Sequence, residues 1–91
     1  MTRDEIDALA EQSGFEGVLL ADGFDEAFIG FAERCASQPV AVYDFRNAVK
    51  ILVERDGMDE SEAEEYLHFN VLGAYVGEQT PWFITSRSED S

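Results

Sequence analysis

The sequence predicts an α+β fold in which a small antiparallel sheet packs against three helices, in the order α-β-β-β-α-α-β. Two segments open with capping-box patterns, and two long stretches carry apolar residues at helical spacing. Short β-branched or aromatic runs lie between turn residues and are typical of strands. At 91 residues, we expect one domain over residues 1–85, followed by a disordered polar tail at 86–91.

The first two predicted helices have recognisable ends. Thr2 and Glu5 form a capping-box pattern, and Gly14 ends a first helix at about 3–13. Asp44 is the predicted N-cap of the second helix, and Gly57 ends it. The second helix carries an apolar stripe at i, i+3, i+4, i+7 and i+8, formed by Phe45, Ala48, Val49, Leu52 and Val53.

The third predicted helix begins at a second capping box, with Asp59 as N-cap and Glu62 three residues later. It ends near Gly73. Its expected apolar stripe consists of Ala63, Tyr66, Leu67, Asn70 and Val71.

Four segments are the candidate strands. Residues 15–20 are apolar and β-branched enough for a short strand, and residues 82–85 form the last one. Residues 27–34 fit either a helical face or a buried strand. We favour the strand because Gly30 costs a helix about 1 kcal/mol relative to alanine, and because the strand-like residues 40–43 follow a short turn. These two segments are expected to form a hairpin.

The charge of the chain restricts its partners. Twenty Asp and Glu face six Lys and Arg, giving a formal net charge of −14. Direct binding of nucleic acid or of an anionic membrane is disfavoured, because both need an excess of basic residues. A basic protein surface or a cation is the natural complement. Solubility or life in high salt would equally account for the acidity.

The expected location is the cytoplasm. The N-terminal residues are acidic and amphipathic, unlike a signal peptide, and no apolar run approaches the ~20 residues of a membrane span. The lone Cys35 cannot form an internal disulfide, which fits a reducing compartment.

Two acidic clusters are the candidate partner-binding residues. No Lys or Arg occurs between Arg55 and Arg87. The first cluster places six carboxylates within ten residues: Asp56, Asp59, Glu60, Glu62, Glu64 and Glu65. The alternative for this cluster is an ordinary solvated helix face, partly favoured by the helix dipole. The second cluster surrounds a glycine turn and consists of Asp22, Asp25 and Glu26. Its alternative is ordinary turn chemistry.

Aromatic residues supply a further candidate surface. Most of the eleven Phe, Tyr and Trp are expected in the core. Phe69 falls off the apolar stripe of the third helix and, with Trp82, could form an exposed interface patch. The alternative is that both residues pack under the edge of the sheet.

Catalytic, metal and cofactor sites are not expected. Residues 56–59 do not match a calcium-binding loop, and no glycine-rich phosphate loop is present. One cysteine, Cys35, and one histidine, His68, fall short of the usual zinc ligand set. His68 should point towards solvent beside the core stripe, so a Cys35–His68 catalytic pair is disfavoured. Every carboxylate is predicted to lie in an exposed cap, turn or helix face, which does not favour acid–base catalysis.

The stretch from Asp22 to Ile84 resembles a family of small uncharacterised proteins of bacteria and their phages. The residues that carry the resemblance are 23–27, 32–35, 42–44, 56–58, 62–63 and, most distinctively, 70–81, which reads Asn-Val-Leu-Gly-Ala-Tyr-Val-Gly-Glu-Gln-Thr-Pro. The resemblance implies a bacterial or mobile-element setting, in the host cytoplasm if phage-encoded, and supplies no catalytic residues. Size and charge are also similar to those of phage anti-CRISPR proteins and DNA mimics, without a shared motif.

The sequence thus predicts a non-enzymatic binding protein that docks an acidic surface on a basic, nucleic-acid-binding partner, as an anti-CRISPR-like inhibitor would. The alternative is a structural or regulatory homodimer that buries an aromatic patch around Phe69, Tyr75 and Trp82.

Overall fold

The structure, a computed structural model, describes residues 2–15, 17–33, 38–72 and 80–85. The predicted α+β class is confirmed. The described elements are α1 (Arg3–Gln12), a 3-10 turn (Asp25–Ala27), β1 (Phe28–Ala32), β2 (Val40–Asp44), α2 (Phe45–Asp56), α3 (Glu60–Tyr66), a π-helical segment that continues α3 (Leu67–Leu72), and β3 (Trp82–Ile84). The predicted tail at 86–91 lies outside the described residues.

The three strands form a mixed sheet in the order β1-β2-β3. The predicted hairpin is confirmed, with Phe31 opposite Ala41 in an antiparallel pair. The wholly antiparallel sheet is wrong, because β3 runs parallel to β2, with Phe83 beside Tyr43. The cause is the connection: two helices follow β2, and such a crossover can return the chain to the end from which β2 started.

The predicted strand at residues 15–20 is also wrong. None of the described residues in that range belongs to the sheet. Gly17 has a φ of 72°, in the left-handed region, which interrupts an extended run. The apolar residues of this segment instead pack as a loop, with Val18 and Leu20 against the core.

The predicted helix caps are confirmed. The Glu5 amide donates to Thr2 Oγ1 at 3.2 Å, and the Thr2 amide donates to Glu5 Oε1 at 2.8 Å. Asp44 ends β2 and also caps α2, since its Oδ1 accepts from the Arg46 amide at 2.9 Å. Short polar side chains thus satisfy amide groups that have no partner inside the helix.

Gly57 ends α2 in the left-handed conformation, with φ 74°, and an added Cβ would meet no atom within 4 Å. The cost of Gly57→Ala is therefore conformational alone, and we expect a loss of about 1 kcal/mol in the free energy of unfolding. Gly30→Ala is the matched control. Gly30 also has open space around it but no positive φ, so we expect no loss there. Urea unfolding of both variants tests the difference, and equal effects would contradict this account of the cap.

Tyr43 lies at the centre of the core and has no exposed surface. Its ring stacks on Phe83 at 5.2 Å between centroids and meets Phe28 edge to face at 5.6 Å. Helix and sheet residues close around it to form one cluster of buried side chains: Phe24, Ala27, Ala41, Tyr43, Ala48, Val49, Leu52, Ala63 and Leu67. The three aliphatic residues from α2 in this cluster belong to its predicted stripe.

The third helix departs from its predicted stripe. Ala63 and Leu67 are fully buried as expected, but Tyr66 is 40% exposed and Asn70 is exposed. The reason at Asn70 is the π-helical segment, in which the hydrogen bonds run from i to i+5. These turns change the direction of Asn70, whereas Val71, the last residue of the predicted stripe, is partly buried and packs against the core.

Candidate acidic interaction surface

Five carboxylates of the first predicted cluster lie on and just before α3. We call them the α3 acidic surface: Asp59, Glu60, Glu62, Glu64 and Glu65. All five residues are exposed. Their position follows from the sequence, since Ala63 and Leu67, four residues apart, hold one side of the helix against the core. Glu64 and Glu65, which lie between these two buried residues, therefore face outwards.

The members of this surface differ in what they contact. Asp59 and Glu62 bond to each other's backbone: Asp59 Oδ1 accepts from the Glu62 amide at 2.7 Å, and Glu62 Oε1 accepts from the Asp59 amide at 3.4 Å. Within the described part of the chain, Glu60, Glu64 and Glu65 make no ion pair. Three carboxylates here are thus exposed, with no compensating Lys or Arg among the residues that the structure describes.

Asp56, the remaining member of the first cluster, is neutralised within the molecule. The Arg55 Nε donates to Asp56 Oδ1 at 3.0 Å, and Arg55 Nη2 donates to Oδ2 at 3.2 Å. These hydrogen bonds hold the pKa of Asp56 below its usual value, and the same pairing raises the pKa of Arg55. Asp56 therefore adds less to the uncompensated charge than its position in the sequence indicates.

Arg55 also connects the two predicted clusters. Its Nη1 donates to the Gly23 carbonyl oxygen at 2.7 Å, and its guanidinium lies 5.7 Å from the centroid of the Phe24 ring. One arginine thus joins the end of α2 to the turn that carries the second cluster. The sequence shows Arg55 only as a cation beside an acid, and a contact 32 residues away along the chain leaves no local signal.

The second cluster is less uniform than predicted. Asp22 and Glu26 are exposed, and Asp22 Oδ1 accepts from Arg3 Nη1 at 2.7 Å. Asp25 is partly buried, and its Oδ1 is buried with no hydrogen-bond partner in the structure. The expectation that every carboxylate is exposed is therefore wrong at Asp25. The 3-10 turn directly before β1 draws this residue inwards, because the neighbouring Phe24 and Ala27 are both core residues.

The Tyr43 hydroxyl lies close to this second cluster. It accepts a hydrogen bond from the Ala21 amide at 2.9 Å. Burial raises the pKa of Tyr43, and the negative charges of Asp25 and Asp22 act in the same direction. The phenol is therefore held in its neutral form, in which it fixes the backbone just before the acidic turn.

This raised pKa predicts a loss of stability in alkali. The pKa of Tyr43 in the folded state lies above the ordinary value of about 10, so its contribution is constant below pH ~10 and is lost as the pH rises through the folded-state pKa. Urea unfolding between pH 8 and 11 measures this decline. Tyr43→Phe should flatten it and cost about 1–3 kcal/mol at neutral pH, because the Ala21 amide loses its acceptor. Tyr66→Phe, at an exposed phenol, should leave the decline unchanged; a decline that persists in Tyr43→Phe would contradict the assignment.

The two predicted aromatic anchors are both accessible. Phe69 is 75% exposed and Trp82 is 47% exposed. They lie on different elements, the π-helical segment and β3, and no ring contact joins them among the described residues. Tyr75, the third member of the predicted patch, lies outside the described residues.

His68 and Cys35 are the remaining candidates for catalytic or metal-binding chemistry. His68 is exposed, as predicted, and its ring lies 5.3 Å from that of Phe45. Cys35 lies outside the described residues. Within the described ranges, no three His, Cys, Asp or Glu side chains come together as a metal site would require. A search of the same residues finds no helix with the length and apolar character needed to cross a membrane.

The three basic residues of α2 differ in whether they pair with an acid. Arg55 does so, through Asp56. Arg46 and Lys50 are exposed and form no ion pair with any residue that the structure describes. Among the described residues, α2 therefore carries two cations without an ion pair, on a different element from the α3 acidic surface.

Comparison of the chain with protein-family models, with curated proteins and with solved structures finds no match in any of the three. The resemblance to small bacterial and phage proteins therefore stays a prediction.

Proposed function

We propose that this protein is a non-enzymatic binding protein that docks the α3 acidic surface on a basic surface of another protein. The observation that carries the proposal is a set of exposed glutamates that form no ion pair with any Lys or Arg in residues 2–15, 17–33, 38–72 and 80–85, namely Glu60, Glu64 and Glu65. Like charges at this spacing on a helix cost a few tenths of a kcal/mol per pair. A partner that supplies Lys and Arg removes that cost, and complementary charge also speeds the encounter.

The partner we propose is a surface built to bind nucleic acid. The protein measures 38 × 25 × 24 Å and carries a formal net charge of −14. Duplex DNA of 25–38 Å carries about 15–22 charges at one per ~1.7 Å. The two charge densities are comparable, so a groove adapted to the phosphate backbone would attract this protein as well.

In this proposal the protein acts as an inhibitor that competes with nucleic acid for its partner. A mobile-element setting, which the predicted resemblance of residues 70–81 implies, and an anti-CRISPR-like role, which size and acidity suggest, are parts of this proposal. The site of action would be the cytoplasm of the bacterial host. No catalytic group is needed for such inhibition, since occupancy of the groove suffices.

Capture from the cytoplasmic extract of a bacterial host tests the proposal. The immobilised protein is compared with a triple variant, Glu60→Gln, Glu64→Gln and Glu65→Gln. We expect the wild-type chain to retain a DNA-binding protein that duplex DNA releases, and the variant to retain much less of it. A partner that the variant holds equally well, and that DNA does not release, would contradict the proposal.

A homodimer that buries exposed aromatic residues is the second candidate, and the 75% exposure of Phe69 favours it. Truncation of a large apolar side chain at an interface is the change with the greatest expected effect on assembly. Light scattering after size exclusion, at low and high salt, decides between the candidates. A dimer whose assembly does not depend on salt, and that becomes monomeric in Phe69→Ala or Trp82→Ala, would favour this second function. A monomer at all salt concentrations would exclude it.

A further inference from the structure

A groove of about 260 Å³ lies beside the α3 acidic surface. Its floor includes the rings of Phe24 and Phe83, which meet edge to face at 6.1 Å between centroids. Tyr66, from the end of α3, and Asn70, from the π-helical segment, form one side. The groove is smaller than the ~300–1,000 Å³ pockets that hold whole small molecules, so it suits a single side chain.

Asp22, Tyr66 and Asn70 each bring to the groove an oxygen that can accept a hydrogen bond. Asp22 lines it with a carboxylate whose side chain is 89% exposed, so one oxygen stays accessible while the other binds Arg3. Neither the Tyr66 hydroxyl nor the Asn70 amide makes a hydrogen bond within the described part of the chain. The aromatic rings, the Asp22 carboxylate and two neutral groups that can accept hydrogen bonds together favour a flat cation that carries several donors.

We propose that this groove binds an arginine side chain of the basic partner, an inference that rests on the proposed function. Arginine combines a stem that packs on aromatic rings with a planar guanidinium that donates to carboxylate, amide and phenol oxygens. The chain's own arginines make both kinds of contact at groove residues. Arg3 bonds Asp22, and Arg55 lies over the Phe24 ring.

The π-helical segment provides a separate reason to expect a ligand here. In a continued α-helix, Asn70 would follow Ala63 and Leu67 on the buried stripe. The π turns place Asn70 on the groove instead. Such turns are a departure from regular helix that occurs frequently at functional sites. The π-helical segment thus places an amide on the same groove that Asp22 lines.

N-acetyl-arginine amide is the probe that tests this inference, with amide chemical shifts of the ¹⁵N-labelled protein as the readout. We expect saturable shifts at Tyr66, Asn70 and Phe83. N-acetyl-citrulline amide, a neutral isostere, should bind about tenfold more weakly because the charge-assisted bonds are lost. Equal binding of the two probes, or shifts spread over α1 and α3 without saturation, would overturn the proposal.

Two variants sharpen the test. Asp22→Asn should weaken binding of the arginine probe about fivefold, and Arg3→Gln should strengthen it about twofold, because Arg3 no longer occupies Asp22. Arg46→Gln is the control, since it changes the net charge equally at an exposed position without an ion pair. If Arg3→Gln and Arg46→Gln have the same effect, general charge explains the binding and the groove assignment fails.

The outcome can be separated from that of the proposed function. A partner that is lost in the α3 triple variant but binds the Asp22→Asn variant normally would reject the groove and leave the proposed function intact. If partner affinity changes neither with salt nor in the α3 triple variant, the proposed function is rejected, even if the arginine probe binds the groove.

Discussion

Replacing Leu67 by alanine is expected to destabilise the protein by about 2–5 kcal/mol. Leu67 is fully buried at the junction of α3 and the π-helical segment, and it is the largest fully buried side chain that this part of the chain contributes to the core. A domain of 91 residues has a free energy of unfolding of roughly 5–14 kcal/mol, so this loss would be a large share of the total. Urea unfolding followed by circular dichroism measures it.

Phe69→Ala is the matched control for this prediction. It removes a larger side chain only two residues away, but Phe69 is 75% exposed, so we expect a change within about 0.5 kcal/mol. Similar losses in the two variants would mean that the π-helical segment is not oriented as described. Because Leu67 also anchors the α3 acidic surface, Leu67→Ala should weaken partner binding as well. The affinity of a partner that binds by charge alone should not change in Phe69→Ala.

Neutralising the three unpaired glutamates of α3 is expected to have the largest effect on binding. Each exposed ion pair with the partner contributes up to about 1 kcal/mol, so the Glu60, Glu64 and Glu65 to Gln triple variant should lose up to about 3 kcal/mol, or roughly a hundredfold in affinity. Glu62 is left in place because it caps α3. The triple variant should unfold no more easily than the wild-type chain, since like-charge repulsion on the helix is reduced. Calorimetric titration of the purified partner measures the affinity.

A second triple variant, Asp4→Asn, Glu11→Gln and Glu33→Gln, controls for net charge. These three carboxylates are exposed and lie outside the α3 acidic surface, and their neutralisation changes the formal charge by the same amount. We expect its affinity to stay within a few-fold of the wild-type value, because charges beyond about 10 Å are screened at 0.1 M salt. Equal losses of affinity in the two triple variants would mean that net charge, and not the α3 acidic surface, determines binding.

Local interactions explain which parts of the fold the sequence could predict. Both capping boxes, the Asp44 cap and the Gly57 terminus depend on residues at most four positions apart, and all are present in the structure. The strand assignment at β1 also followed from short-range preferences of glycine and aromatic residues. The outward position of the α3 glutamates needed only the spacing of Ala63 and Leu67.

The features that the sequence could not predict depend on contacts between distant segments. The parallel pairing of β3 with β2 is decided by how the chain returns after two helices. The bond from Arg55 to the Gly23 carbonyl, and the partial burial of Asp25, follow from packing of the acidic turn against α2 and the core. The π-helical segment changes the face on which Asn70 lies, and no residue in the segment predicts this change. The groove beside α3 is lined by residues from three separate parts of the chain, within 20–24, 66–71 and 80–83, and has no signature in the sequence.

The dependence of partner affinity on salt tests the central claim most directly. The dissociation constant of the purified complex is measured between 50 and 500 mM NaCl for the wild-type chain and the two triple variants. The α3 acidic surface predicts that affinity falls steadily with salt, and that only the Glu60, Glu64 and Glu65 variant has a clearly shallower slope. A wild-type affinity that stays constant over this range would contradict the claim, as would three slopes that coincide.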